Sequence, residues 1–255
     1  MNIGKLYDDY IAQHYDANPF GILSGGREAA AAQIAQAVPR LGAVEQILDL
    51  ALGTGESLLA IQPLFPLAKL SGVDVAARML ELARQKFDVE AIHDDALNAR
   101  AHFADGSRDL VLAHFVTTYV DPEALFRTAA ALLRPGGHFS LVSGTMESFA
   151  ALQAVALKII PPEELQRVSP APASKQAVED LLDRAGFDLV AEEVFRRDVA
   201  FESFEDFHRF GLNSGFFTHV FDGLGEETVS TMASLPGVFP LKDQYQAAVL
   251  LARKR

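Results

Sequence analysis

Two glycines and an acidic residue occur at a spacing that suits recognition of a nucleoside. Residues 47–56 read Ile-Leu-Asp-Leu-Ala-Leu-Gly-Thr-Gly-Glu, and Asp74 lies 19 residues after Gly55. Because Gly53 and Gly55 have no Cβ atom, each can adopt a positive φ and let a ligand approach the backbone closely. Asp74 ends a second apolar run, where a carboxylate can accept hydrogen bonds from both hydroxyls of a ribose. Together these features predict a nucleoside-cofactor site.

His114 is the candidate for acid–base chemistry. It follows an apolar run, in the sequence Ala113-His114-Phe115. Histidine titrates near neutral pH, so His114 could deprotonate a hydroxyl or an enol. The alternative is that it only hydrogen-bonds a cofactor or packs in the core.

An alternation of strands and helices is predicted to position these residues. Strands are expected near residues 46–51, 69–74, 89–93, 109–114, 138–143, 189–195 and 244–252. Helices are expected near residues 27–38, 56–64, 77–87, 121–133, 147–160 and 174–184. Such alternation predicts an α/β fold with a mostly parallel sheet covered by helices on both sides.

Five ordered segments of the chain resemble the class I methyltransferases that use S-adenosylmethionine, particularly the small-molecule group called type 11. The segments are residues 49–55, 72–80, 94–97, 103–111 and 133–137, the last reading Leu-Arg-Pro-Gly-Gly. The resemblance covers about residues 45–145. It implies a doubly wound, seven-stranded Rossmann-like sheet, S-adenosyl-L-methionine as cofactor and S-adenosyl-L-homocysteine as product.

The same resemblance implies which side chains contact the cofactor. Asp74 would hold the ribose, Asp95 the adenine amino group and Ala96 a ring nitrogen, while a tyrosine of the N-terminal segment would cover the sulfonium. Tyr7, Tyr10 and Tyr15 compete for that role; Tyr15 fits it best and is the second catalytic candidate. The implied cofactor contacts are Tyr15, Asp49, Ala51, Gly53, Thr54, Gly55, Asp74, Val75, Met79, Asp94, Asp95, Ala96 and His114.

Two positions depart from the family pattern, and one of them leaves a non-catalytic function open. Ala51 stands where the family has a glycine, and Asp94 replaces a common glycine. Ala51 therefore leaves open a protein that binds the cofactor without catalysis. A nicotinamide dinucleotide site is disfavoured, because Leu58 occupies the position of its third glycine.

A phenylalanine-rich insertion is predicted to form part of a cap. Eight phenylalanines occur between Phe195 and Phe221, several of them three residues apart. They can form a buried stripe on a helix, or the wall of an apolar substrate pocket under a lid. The interpretation is one domain over residues 1–255, with cap elements at 1–40, 144–172 and 197–240. The substrate is expected to be a small, partly apolar molecule methylated on oxygen or carbon.

Residues 201–211 and 239–242 show a weaker similarity to the enzymes that methylate a malonyl group on acyl carrier protein. Acyl carrier protein is therefore a possible partner, which would need a basic surface. The residues that could supply it are Lys158, Arg167, Lys175, Arg196 and Arg197. Carboxyl methylation of a carrier-bound acyl group is thus an alternative function.

The composition excludes several other classes. The formal charge of −12 argues against a nucleic-acid partner, and the absence of cysteine excludes disulfides and thiolate chemistry. The histidines lack the spacing of a metal site, so no metal is expected. No signal peptide or long apolar segment is evident, which predicts a cytoplasmic protein without a membrane span.

Overall fold

The protein is built around one seven-stranded sheet. The computed structural model describes residues 3–168 and 171–255, without the side chain of Gln166. The strands are β1 (Gln46–Asp49), β2 (Lys69–Asp74), β3 (Glu90–His93), β4 (Arg108–His114), β5 (Leu133–Gly144), β6 (Phe187–Phe201) and β7 (Leu241–Lys254). Their order is β3-β2-β1-β4-β5-β7-β6, and β7 runs antiparallel to its neighbours β5 and β6. The predicted doubly wound, mostly parallel sheet is confirmed.

Helices cover both faces of the sheet. They are α1 (Ile3–Asp9), α2 (Ile22–Leu41), α3 (Glu56–Ile61), α4 (Ala77–Lys86), α5 (Pro122–Leu132), α6 (Ala150–Ala156), α7 (Pro162–Val168), α8 (Lys175–Arg184), α9 (Phe204–Ser214) and α10 (Thr218–Ser234). Successive strand residues point to opposite faces. In β1, Ile47 therefore packs with α2, α3 and α4, whereas Leu48 packs with α5 and α8.

The strand order reverses between β1 and β4, and this places the candidate residues together. Parallel strands on either side of such a point open a crevice at their carboxyl ends, where ligands bind in doubly wound folds. Asp49 ends β1, Asp74 ends β2 and His114 ends β4. All three predicted residues thus lie at the same edge of the sheet.

The elements of the second half differ from the sequence-based expectation in length. Strand β6 continues to Phe201, five residues into the predicted 197–240 insertion. The reason is burial: Val199 and Phe201 are both at most 3% exposed and pair with Asp243 and Leu241 of β7. The helix expected at 147–160 is shorter in the structure, where only α6 is helical. Residues 157–160 form turns and a bend that lead into Pro161.

Candidate functional site

A cavity opens where the carboxyl ends of β1, β2 and β4 meet. Its empty space is about 760 Å³, including the part open to solvent. We call it the sheet-end cavity. The described residues that line it are Ile3, Tyr7, Tyr15, Leu50, Ala51, Gly53, Asp74, Val75, Met79, Asp95, Ala96, His114, Phe115, Val116, Tyr119 and Val120. Nine of the thirteen cofactor contacts implied by the sequence are in this wall.

Asp74 holds the glycine loop and still faces the cavity. Its Oδ2 accepts a hydrogen bond from the Gly53 N–H at 2.7 Å, and its Oδ1 accepts one from the Ala76 N–H at 2.9 Å. Burial raises the pKa of this carboxyl, and the two N–H donors act in the opposite direction. Each oxygen has a second lone pair, so the carboxylate can accept two further donors from a ligand.

Both glycines are required by the backbone of the loop, and Gly55 is also required by packing. Gly53 adopts φ of 53° and Gly55 φ of 85°, both in the left-handed region that favours glycine. A Cβ atom on Gly55 would lie 2.4 Å from Cε1 of Phe87, so the loop also packs tightly on its far side. Thr54 is fully buried and donates a hydrogen bond to Asp16 at 2.7 Å, which ties the loop to the N-terminal segment.

Two buried polar atoms near the cavity have no hydrogen-bond partner in the described part of the chain. They are Oδ2 of Asp49 and Nε of Arg27. Burial raises the pKa of Asp49 to about 7, whereas the nearby Arg27 guanidinium lowers it. That guanidinium lies 5.6 Å from the ring centre of Tyr15 and donates a hydrogen bond to its hydroxyl at 3.1 Å. A ligand that carries both an ammonium and a carboxylate group would satisfy both atoms.

Asp95 and Asp94 have different surroundings. Asp95 caps the short 3-10 helix Ala96–Ala101 by accepting a hydrogen bond from the Leu97 N–H at 2.8 Å, and it lines the cavity with Ala96. Asp94 is not among the lining residues; its carboxylate is bonded to Asn98 and to His102. These bonds hold the pKa of Asp94 at about 2.

His114 has both ring nitrogens occupied. Nδ1 lies 3.0 Å from the Ser57 hydroxyl and Nε2 lies 3.1 Å from the Ser140 hydroxyl. Burial lowers the pKa of the imidazole to about 3. A neutral imidazole has one donor and one acceptor, and two hydroxyls satisfy both. This geometry favours the alternative given above, a histidine that lines the cavity without acting as a base.

We expect the contribution of His114 to folding to depend on pH. Its pKa is about 3 in the folded protein and near 6.5 in the unfolded chain, so the unfolded chain binds more protons between these values. Stability from this residue is therefore present above pH 6.5 and is lost as the pH falls. The wild-type advantage over a His114→Gln variant should shrink by about 2–3 kcal/mol between pH 7.5 and pH 4.5 in urea unfolding. An unchanged difference would contradict this account.

A second cavity adjoins the first and is almost entirely apolar. Its empty space is about 920 Å³, including the open part. We call it the aromatic cavity. Its described lining residues are Phe115, Thr118, Gly144, Thr145, Met146, Ser148, Phe149, Leu152, Gln153, Ala156, Ile160, Leu165, Ala171, Phe207, Phe216, Phe217, His219, Val220, Phe221, Leu224, Met232 and Tyr245. The phenylalanine-rich segment therefore lies partly in a buried stripe and partly in a cavity wall.

Phe115 separates the two cavities and lines both. It adopts φ of 62°, a region that bulky residues rarely occupy. Its N–H donates to the Val142 carbonyl at 2.7 Å, and its ring lies where a Cβ atom on Gly26 would be. A strained aromatic residue held from two sides is a fixed edge that the two cavities share.

The structure distinguishes the three N-terminal tyrosines and adds residues that the sequence did not indicate. Among the N-terminal tyrosines, Tyr7 and Tyr15 both line the sheet-end cavity, whereas Tyr10 is exposed and bonds to Asn213. Tyr119 also lines the cavity, and its hydroxyl accepts a hydrogen bond from Tyr7 at 3.1 Å. Arg27 was missed as well; its signal is a basic residue among glycines and alanines of α2.

Four implied contacts lie outside the cavity wall. Asp49, Thr54 and Gly55 are not among the lining residues, and the Asp94 carboxylate is bonded to His102. The assignment of individual cofactor contacts stays a prediction.

The described residues contain neither a metal-binding cluster nor a helix suited to a membrane. Over residues 3–168 and 171–255, no group of three or more histidine, aspartate and glutamate side chains is arranged to hold a metal ion. Across the same ranges, no helix is both long and apolar enough to cross a lipid bilayer.

Part of the chain is similar in sequence to known methyltransferases. Residues 47–137 match the family described as "Methyltransferase domain". The demethylmenaquinone methyltransferase of Thermus thermophilus is 35% identical over 99 residues, which are 37% of this chain and 45% of that protein. The malonyl-[acyl-carrier protein] O-methyltransferase of Hahella chejuensis is 34% identical over 100 residues, or 38% and 36% of the two chains. The chain thus spans less than half the length of either relative.

Solved structures share the fold over most of the chain. A Bacillus halodurans C-125 protein described as a candidate methyltransferase has a TM-score of 0.61 at 20% identity, covering 89% of this chain and 98% of that one. A geranyl diphosphate C-methyltransferase from Streptomyces coelicolor A3(2) has a TM-score of 0.53 at 14% identity, covering 88% and 79%. Residues 47–137 therefore match a methyltransferase domain, and most of the chain shares the fold of these solved methyltransferase structures.

Proposed function

We propose that this protein transfers a methyl group from S-adenosylmethionine to a small, largely apolar acceptor. The observation that carries the proposal is the shared wall at Phe115. A polar cavity with ribose- and adenine-binding features adjoins an apolar cavity there. Methyl transfer needs this arrangement, because the acceptor must approach the cofactor from a separate, water-poor space.

Residues that line the sheet-end cavity, together with Asp49 and Arg27 behind its wall, suit the successive parts of the cofactor. Asp74 would accept the ribose hydroxyls, and Asp95 with the Ala96 N–H would contact the adenine. The unpartnered Oδ2 of Asp49 and Nε of Arg27 suit the ammonium and carboxylate groups of the methionine end. When bound, the cofactor supplies a methyl group activated by a positively charged sulfur.

The side chains around Phe115 orient the acceptor and exclude water. The rings of Phe216 and Tyr245 lie with their centres 6.4 Å and 6.5 Å from the centre of the Phe115 ring, so three aromatic rings meet at this position. Tyr15 lines the sheet-end cavity and is fixed by its hydrogen bond from Arg27. Holding two reactants in the correct geometry supplies a large part of the barrier reduction in a displacement of this kind. A separate base is needed only for an acceptor that carries a proton.

The named relatives act on two kinds of acceptor, and the surface charges of this chain favour an apolar acceptor over a carrier-bound carboxylate. The Thermus thermophilus relative is named for demethylmenaquinone and the Hahella chejuensis relative for malonyl-acyl carrier protein. A carrier protein needs a basic surface, and Lys175, one of the five candidate residues, is already paired with Glu179 and Glu192. With malonyl-loaded carrier protein and cofactor, we therefore expect mass spectrometry to find an unchanged carrier mass.

Calorimetry and a transfer assay test the proposed function. S-adenosylmethionine should bind at micromolar concentrations, and its conversion to S-adenosylhomocysteine should accelerate with at least one member of a panel of apolar phenols, enols and alcohols. Failure to bind would reject the proposal. Binding without turnover across the panel would favour the alternative, a cofactor-binding protein without catalysis.

A further inference from the structure

His219 is a polar residue of the aromatic cavity whose hydrogen-bonding atoms have no partner in the described part of the chain. It lies in the first turn of α10 and lines the cavity. Both of its ring nitrogens are buried and unpaired. A buried polar group left unpaired is destabilising, so an occupant that bonds to it would gain affinity.

The imidazole lies at the boundary between the two cavities. Its ring packs edge-on against Tyr119, with 5.2 Å between the ring centres. Tyr119 belongs to the wall of the sheet-end cavity, and its hydroxyl donates a hydrogen bond to the Gly215 carbonyl at 2.7 Å. A group that reaches His219 from the aromatic cavity is therefore close to Tyr119 and so to the sheet-end cavity.

The charge of the cavity limits what can bind there. No aspartate, glutamate, lysine or arginine is among its described lining residues. Burial lowers the pKa of His219 to about 4, so the imidazole is neutral at pH 7. A carboxylate would lose its hydration without meeting a cation, which is strongly unfavourable. A neutral hydroxyl meets no such penalty, because it can donate to the unprotonated ring nitrogen.

We propose that the aromatic cavity binds a neutral, phenol-like aromatic molecule whose hydroxyl donates a hydrogen bond to a ring nitrogen of His219, and that it excludes carboxylates. The aromatic walls favour edge-to-face contact with a ligand ring. Rotation about the Cβ–Cγ bond of His219, a soft torsion, presents a nitrogen to the ligand. The inference rests on the proposed function, because it takes this cavity as the acceptor site.

Three naphthalene derivatives of similar shape test the inference by calorimetry without cofactor. 1-Naphthol has a donating hydroxyl, 1-methoxynaphthalene has the oxygen without the proton, and 1-naphthoate has a negative charge. The wild-type protein should bind 1-naphthol about tenfold more tightly than 1-methoxynaphthalene, and 1-naphthoate most weakly. Equal affinity for the first two, or tighter binding of 1-naphthoate, would overturn the inference.

A His219→Phe variant keeps the ring and removes both nitrogens. It should bind 1-naphthol and 1-methoxynaphthalene with nearly equal affinity, because the acceptor is gone. The matched control is His208→Phe: His208 stacks on Phe204 in α9, is outside the described cavity wall, and should keep the tenfold preference. A preference that survives in His219→Phe would also overturn the inference. The preference is the ratio of two affinities measured on the same variant, so a partly unfolded sample affects both affinities equally. The test does not depend on S-adenosylmethionine binding.

Discussion

Replacing Asp74 by alanine should reduce the affinity for S-adenosylhomocysteine by at least about 100-fold, or about 3 kcal/mol. The substitution removes the acceptor of two ribose hydroxyls. It also removes the acceptor of the Gly53 and Ala76 N–H groups, which hold the glycine loop in its open shape. Hydrogen bonds to a charged group contribute about 1.5–3 kcal/mol each, so several are lost together. Calorimetric titration measures the result.

Asp109 provides a matched control at the opposite edge of the sheet. Its Oδ2 also accepts two backbone N–H groups, those of Glu45 and Gln46, each at 2.9 Å. An Asp109→Ala variant should lose folding stability as Asp74→Ala does, because each leaves two N–H groups without their acceptor. It should bind the cofactor as the wild type does. If both variants lost affinity equally, Asp74 would have a structural role and no direct contact with ribose.

The sheet and its acidic residues could be predicted because local sequence determines them. Asp74 ends an apolar strand of six residues, and alternation along that strand fixes which side chains are buried. Gly53 and Gly55 are visible in the sequence because the loop requires positive φ at both. These features depend on neighbours in the chain, so pattern alone identifies them.

The aromatic cavity could not be derived in the same way, because its wall joins distant segments. Phe115, Phe149, Phe217 and Tyr245 come from four different parts of the chain and meet only after folding. Likewise, the hydroxyls that occupy the His114 nitrogens belong to Ser57 and Ser140, which have no sequence signature. Composition indicated an aromatic insertion, but not which face of it would line a cavity.

Arg27 is the second residue that we expect to determine cofactor affinity. Its Nε is buried and unpartnered, and its guanidinium lies between Tyr15 and Phe115, at 5.6 Å and 5.8 Å from their ring centres. Replacing it by methionine keeps much of the side-chain volume and removes the charge. Affinity for S-adenosylhomocysteine should fall about 10- to 100-fold, the range for hydrogen bonds to a charged group.

A second ligand separates this role from a general loss of packing. 5′-Methylthioadenosine has the nucleoside and the sulfur but no amino-acid group, so Arg27→Met should barely alter its binding. Arg108 is the matched control: its guanidinium lies 4.4 Å from the Phe103 ring centre, and its buried Nε also has no hydrogen-bond partner among the described residues. Because Arg108 begins β4 at the far edge of the sheet, Arg108→Met should leave both ligands unaffected. Equal losses for the two ligands in Arg27→Met would mean that Arg27 only supports Tyr15; a loss confined to S-adenosylhomocysteine assigns it to the carboxylate.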